Sequence, residues 1–230
     1  MSDAEYQAII LSVKLATISC LILLLLGTPL AWWLARSQSK LKHIVEAVVA
    51  LPIVLPPTVL GFYLLIGFAP NSFLGQWWQA ITGSQLAFSF SGLVFASCLY
   101  SLPFVVQPIQ SAFKQIEPGV LDAAKVLRMP RWKQLLSVEL PLAKSGFIVA
   151  MVLGFAHTLG EFGVVLMIGG NIPGETQVIA IALFDHVESL NFAAAHRLAL
   201  VLLGISFFAL LLTYGVTGAK KRVGSVGVKF

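Results

Sequence analysis

The sequence predicts an all-α polytopic membrane protein with about five transmembrane helices, its N-terminus outside and its C-terminus cytoplasmic. Three observations carry this. Of the 230 residues, 58% are hydrophobic and 11% are charged, against roughly 25% charged in a soluble domain. A compact soluble fold of this length has too little interior to hide so much apolar surface, and the same composition excludes a disordered chain. Five runs, residues 15–34, 44–68, 86–113, 145–168 and 198–217, reach the length of about 20 residues that a helix needs to cross a hydrocarbon core. Finally, 13 of the 15 Lys and Arg residues fall in segments 36–43, 114–144 and 218–230, which alternate with segments almost free of them. Positive charge concentrates on the cytoplasmic side, and five crossings with an external N-terminus put all three segments there. The whole chain, 1–230, reads as one transmembrane domain.

Taken in order, the N-terminal residues Met1 to Glu5 lack the basic stretch of a cleaved signal peptide, so the first run is expected to stay in the mature protein. Cys20 and Cys98 lie within apolar runs and read as small buried hydrophobes, not as a disulfide or metal site. Pro52, Pro56 and Pro57 fall inside the second run. Each removes a backbone donor, so a kinked helix is expected, either lining a path or simply packing. Pro103 and Pro108 pose the same alternatives in the third run. Segment 114–144 reads as two short helices. Pro118 suits a first helical turn, and Val120, Ala123, Ala124 and Leu127 share one helical face. Pro130 starts the second helix, which Pro141 is expected to end. Small alanines on a face let another backbone approach closely, while Lys125, Arg128 and Arg131 can donate to a partner's acidic or carbonyl groups.

In the fourth run, Glu161 lies 16 residues after Ser145, roughly 24 Å along a helix. An ionisable side chain at such depth points to function. A pairing with His157 or Arg197, or the capping of a broken helix end, is expected, and Gly160 and Gly163 suit close packing or a break. Residues 177–184 are too short to cross and read as an interfacial or re-entrant helix. The outer segment 171–197 carries Glu175, Asp185 and Glu188, a surface on which a soluble carrier could dock or an ordinary solvated loop. No Gly-x-x-x-x-Gly-Lys-Ser/Thr stretch is present, so nucleotide hydrolysis would belong to another chain.

Asp122-Ala123-Ala124, followed by Glu139-Leu140-Pro141, resembles the EAA loop of bacterial binding-protein-dependent ABC importer permeases. Residues 51–60 (LPIVLPPTVL), 158–163 (TLGEFG) and 171–176 (NIPGET) are similar to the molybdate importer permeases of that family. The LPP and GEFG elements are shared with sulfate permeases. This chain departs from the loop pattern in Asp122, where Glu is usual, and in Arg128, where a Gly would permit positive φ.

The resemblance implies a type I ABC importer permease-like fold in the bacterial cytoplasmic (inner) membrane. It implies passage of molybdate by alternating access, with no catalytic or metal site and no cofactor bound by this chain. ATP-Mg would sit on the partner ATPase. The implied partners are a second copy in a homodimer, two cytoplasmic ABC ATPase subunits, a periplasmic or extracellular molybdate-binding protein and membrane lipid, with no nucleic acid. The implied ATPase-coupling residues are Glu117, Asp122, Ala123, Ala124, Leu127, Arg128, Arg131, Leu140 and Pro141. A path for a dianion should be lined by hydroxyls and backbone donors more than by fixed charge. Its candidates are Pro56, Pro57, Thr58, Ser97, Ser101, Gln107 and Glu161. Sulfate, thiosulfate or tungstate is the alternative cargo. A membrane-embedded metal-dependent hydrolase using His157 and Glu161, or a scaffold without a path, are the readings from other classes.

Overall fold

The computed structural model describes residues 1–223, and no strand occurs among them. Helix α1 (Asp3–Arg36) opens with a reciprocal cap: the Ser2 hydroxyl accepts from Glu5 N–H, and the Glu5 carboxylate accepts from Ser2 N–H. Both ends of that exchange satisfy otherwise orphaned donors. Its buried face, including Leu15, Ser19, Leu23, Gly27, Ala31 and Leu34, recurs every three to four residues. That face packs against α5 (Phe90–Lys114) and α9 (Lys144–Leu159). Leu23, Val105, Val106, Ile109, Phe113 and Ala150 fill the core between these helices.

The second run is two helices, α2 (Leu41–Val54) and α3 (Pro57–Phe68), bent by 112°. A single kinked helix was the expectation; the reason for the break is local. Consecutive prolines remove two successive N–H groups, and a residue before proline is pushed out of the helical region. Leu55 and Pro56 accordingly hold extended ψ angles of 136° and 135°. After α4 (Phe73–Thr82) the chain enters α5. Pro118 opens α6 (Pro118–Val126), and α7 (Arg131–Gln134) leads through a wide π turn, Leu135–Glu139, into α8 (Leu140–Leu142). Pro141 therefore lies inside the helical segment and does not end it. In the π turn Leu140 N–H bonds to the Leu135 carbonyl, so the register has already shifted by one residue where proline lacks a donor. The elbow ends at Ala143, and the axis turns 72° into α9.

Helix α9 stops at Leu159, and after Gly160, Glu161 and Phe162 the chain restarts as α10 (Gly163–Gly169). The short stretch after the NIPGET loop forms α11 (Ile179–Glu188), with Ile179 to Ala182 buried. Helix α12 (Phe192–Val223) packs on α9 and α11 and otherwise exposes apolar side chains such as Leu203, Phe208 and Leu212, as lipid-facing helices do. Helices α1, α5 and α12 are each long and apolar enough to cross a membrane; α2 with α3, and the elbow with α9, qualify as bent pairs. Lys229 of the basic tail lies outside the described residues.

Candidate functional site

Two regions collect the candidate residues. One is the elbow at the basic end. Helix α6 closes with Met129 N–H on the Ala124 carbonyl and Arg128 N–H on the Lys125 carbonyl, the paired bonds of a Schellman motif. Arg128 holds the left-handed position with φ 51°. The turn that glycine would favour is thus kept, with a guanidinium carried on it. The expected common face of α6 divides. Ala124 is buried at 3% exposure, whereas Leu127 is 74% exposed, and Val126 and Trp132 are also bare. Ala123, Glu117, Asp122, Arg131 and Pro141 are exposed, and Leu140 is half-buried. Asp122 pairs with Lys125 at 2.8 Å.

Glu139 anchors this elbow. Its carboxylate, 1% exposed, accepts from Arg36 at 2.8 Å, from the Trp32 indole at 3.2 Å and from the Gln134 amide at 3.0 Å. Arg36 also donates to the Phe113 carbonyl at 3.0 Å, so one ion pair joins the ends of α1 and α5 to the elbow. A buried pair of this kind is stable only when its remaining valences are satisfied, and breaking it costs about 3–5 kcal/mol. Sequence reasoning quoted Glu139 only as part of a motif. The one available signal was an acid at the membrane edge of a strongly basic segment.

The other region is the break zone within the membrane. Pro57, Thr58, Tyr100, His157 and Glu161 line a cavity of about 590 Å³. Glycines make the close contact of the two half-helices possible. A Cβ on Gly163 would lie 2.8 Å from Pro57 Cβ, and one on Gly61 would lie 2.8 Å from Met167 Cβ, closer than side chains pack. The His157 ring stacks on Phe104 with centroids 3.9 Å apart and tilts against Tyr100 at 4.8 Å. Its Nδ1 is 2.9 Å from the Ser101 hydroxyl, which is also 2.9 Å from the Thr158 hydroxyl.

Glu161 has neither expected partner. Arg197 bonds Glu5 at 3.1 Å, joined there by His186 at 3.2 Å, and His157 is engaged by Ser101. Both Glu161 oxygens and the Ser97 hydroxyl beside them are buried without a well-formed hydrogen bond among the described residues. The structure thus brings Pro57, Thr58 and Glu161 around one cavity, and sets Ser101 behind it on His157 and Ser97 in the adjacent core. Pro56 sits at the α2–α3 break. Gln107 is exposed on the α5 face shared with Tyr100 and Phe104, further toward the basic end. His157, which the sequence offered as a partner for Glu161 and, in the hydrolase reading, as a metal ligand, lines the cavity. At the far end, Asn171 and Gln177 hold Asp185 at 2.7–2.9 Å, which leaves Glu175 and Glu188 as the exposed acids of that surface.

A helical membrane body with broken crossings, a cavity at the breaks and an elbow outside the crossings at the basic end is the build of a transport subunit. The chain belongs to the family described as binding-protein-dependent transport system inner membrane component, whose model matches residues 27–217. It is a multi-pass protein of the inner membrane. It is 52% identical over 93% of its length, and 95% of the relative's, to the molybdenum transport system permease protein ModB of Azotobacter vinelandii. It is 34% identical to ModB of Escherichia coli K12, covering 93% of each chain. Against the sulfate transport system permease protein CysT of E. coli K12 it is 31% identical, covering 96% of this chain and 77% of that one. A chain of the bacterial alginate ABC transporter, solved with an alginate-bound periplasmic protein, shares the fold at a TM-score of 0.72 and 17% identity, covering 99% of this chain and 82% of that one.

Proposed function

We propose that this chain is the permease subunit of an ATP-driven molybdate importer, acting as a homodimer with the path at the subunit interface. The observation that carries this is the 52% identity to the Azotobacter molybdenum permease over 93% of the chain. The basic end faces the cytoplasm, as the charge asymmetry argues. There Ala123, Leu127 and Trp132 dock on an ATPase subunit, two of which serve the dimer. Glu139 and Arg36 make the elbow and the ends of α1 and α5 one lever, so that ATP-driven movement of the docking face rocks the crossing helices. At the opposite end the exposed acids Glu175 and Glu188 receive a soluble binding protein that delivers the anion. Hydrolysis belongs to the ATPase, since this chain has no phosphate-cradling loop. The break zone, where Thr58, Ser101 and Glu161 gather, forms the gate. Sulfate is the second reading, favoured by the 31% identity to the sulfate permease.

The test is reconstitution into proteoliposomes with the cognate ATPase and binding protein, offering molybdate, tungstate and sulfate in parallel. Molybdate uptake that depends on ATP and on the binding protein is expected; uptake of sulfate alone would replace the cargo. Ala123→Trp should abolish ATP-driven uptake in a protein that still inserts, and wild-type uptake by this variant would remove the docking role of α6.

A further inference from the structure

The hydroxyl chain behind the break-zone cavity has a direction. Thr158 and Ser101 are buried at 3% and 0% exposure, so each hydroxyl hydrogen needs an acceptor inside the protein. Two orders are available. If His157 Nδ1–H donated to Ser101 and Ser101 donated to Thr158, the buried Thr158 hydrogen would have no acceptor, because among the described residues its hydroxyl bonds Ser101 alone. An unsatisfied buried donor costs about 1–3 kcal/mol. In the opposite order Thr158 donates to Ser101, and Ser101 donates to His157 Nδ1. Every buried hydrogen is then placed. In a neutral imidazole whose Nδ1 accepts, Nε2 carries the hydrogen. Phe104 stacks on the ring and Tyr100 tilts against it, which together with the Ser101 bond to Nδ1 restrains where that hydrogen points.

The geometry points to a new anion contact: His157 Nε2–H is a fixed, uncharged donor to a tetrahedral oxyanion crossing the cavity between Pro57 and Met167. This rests on the proposed importer function and adds a ligand to it. The cavity suits such cargo. The four oxygens of the anion are acceptors, and His157, Thr58 and Tyr100 line the cavity with donors that no acceptor among the described residues engages. No Lys or Arg lines it. Neutral donors hold a dianion weakly, which passage requires. Thr158 and Ser101 are positioning residues: they touch the ring, and the ring touches the cargo.

The test compares His157→Gln, whose amide nitrogen can reach the place of Nε2, with His157→Asn, whose amide is too short. Each is measured in the reconstituted complex with its ATPase and binding protein, using molybdate and sulfate as parallel probes. His157→Asn should lower maximal anion uptake about tenfold without changing the concentration of loaded binding protein that gives half-maximal uptake. His157→Gln should recover uptake to within about threefold of wild type. A docking defect would move the half-maximal concentration instead, and a packing defect would not distinguish the two amides; either result overturns the contact. Ser101→Ala keeps the ring and releases Nδ1. It should reduce uptake about twofold to threefold as the ring divides between its tautomers, so wild-type uptake by this variant also overturns the proposal if His157→Asn does not fold. Wild-type protein that takes up neither anion would sink the importer reading itself. Wild-type uptake matched by His157→Asn sinks only the histidine contact.

Discussion

Glu139 and Glu161 are both buried, at 1% and 4% exposure, yet their surroundings are opposite. Glu139 is held by Arg36, Trp32 and Gln134 from two separate helical segments. Glu161, in the break between α9 and α10, has no ion pair or well-formed hydrogen bond on either oxygen among the described residues, and only the Ser97 hydroxyl lies beside it. A satisfied buried carboxylate makes a rigid joint. An orphaned one is a site of stored free energy, expected where a structure must change state. In the proposed importer the elbow would transmit force without yielding, and the break zone would be the part that yields.

Substitutions can sharpen or break that contrast. The largest effect is expected of Glu139→Ala. It leaves Arg36 half-buried without its partner, should destabilise the detergent-solubilised protein by about 3–5 kcal/mol, and should uncouple ATP hydrolysis from uptake. Chemical denaturation and uptake measured together check both. Glu161→Gln should do the reverse to stability. Replacing a buried carboxyl that lacks a strong partner by an amide of the same shape should leave stability unchanged or raise it by about 1 kcal/mol, while coupled uptake falls. A destabilised variant would mean that Glu161 has a partner, and unchanged uptake and ATPase coupling would discard its role in the gate. Gln134→Ala removes one of the donors to Glu139 and should cost about 1 kcal/mol, with uptake retained. A larger loss, approaching that of Glu139→Ala, would show the amide to be essential to the joint.

The smallest effect is expected of Arg128→Gly. A left-handed residue with a side chain costs about 1 kcal/mol. Glycine removes that cost but loses roughly 0.5 kcal/mol in chain entropy. A net gain of a few tenths of a kcal/mol in thermal unfolding is expected, with the turn intact. Lost uptake without lost stability would assign the guanidinium itself to the ATPase contact.

The break at Pro56 and Pro57 was legible as a disturbance, because two absent donors are visible in a string of residues. Its magnitude, 112°, was not, because the angle depends on α3 lying against α10. The depth of Glu161 was legible from counting, and its partner was misjudged. His157 is one helical turn away and Arg197 carries the right charge, but the ring is claimed by Ser101 and the guanidinium by Glu5. The Glu139–Arg36 pair spans 103 residues, and no local periodicity encodes a contact at that separation. The shared face of α6 was also half right: helical spacing groups Ala123 with Ala124, but only packing decides that Ala124 turns inward.

The sequence alone determined what solvent this protein lives in and which end carries its positive charge, because apolar length and charge placement are sums over neighbours along the chain. It also determined where helices can start or stop, since proline's missing donor and a serine cap act within a few residues. The tertiary structure decided which buried acid is paired, which hydroxyl orients His157, and which alanine faces outward. Those outcomes depend on side chains brought together from distant segments, where hydrogen-bond geometry and desolvation choose among partners that the linear order leaves equivalent.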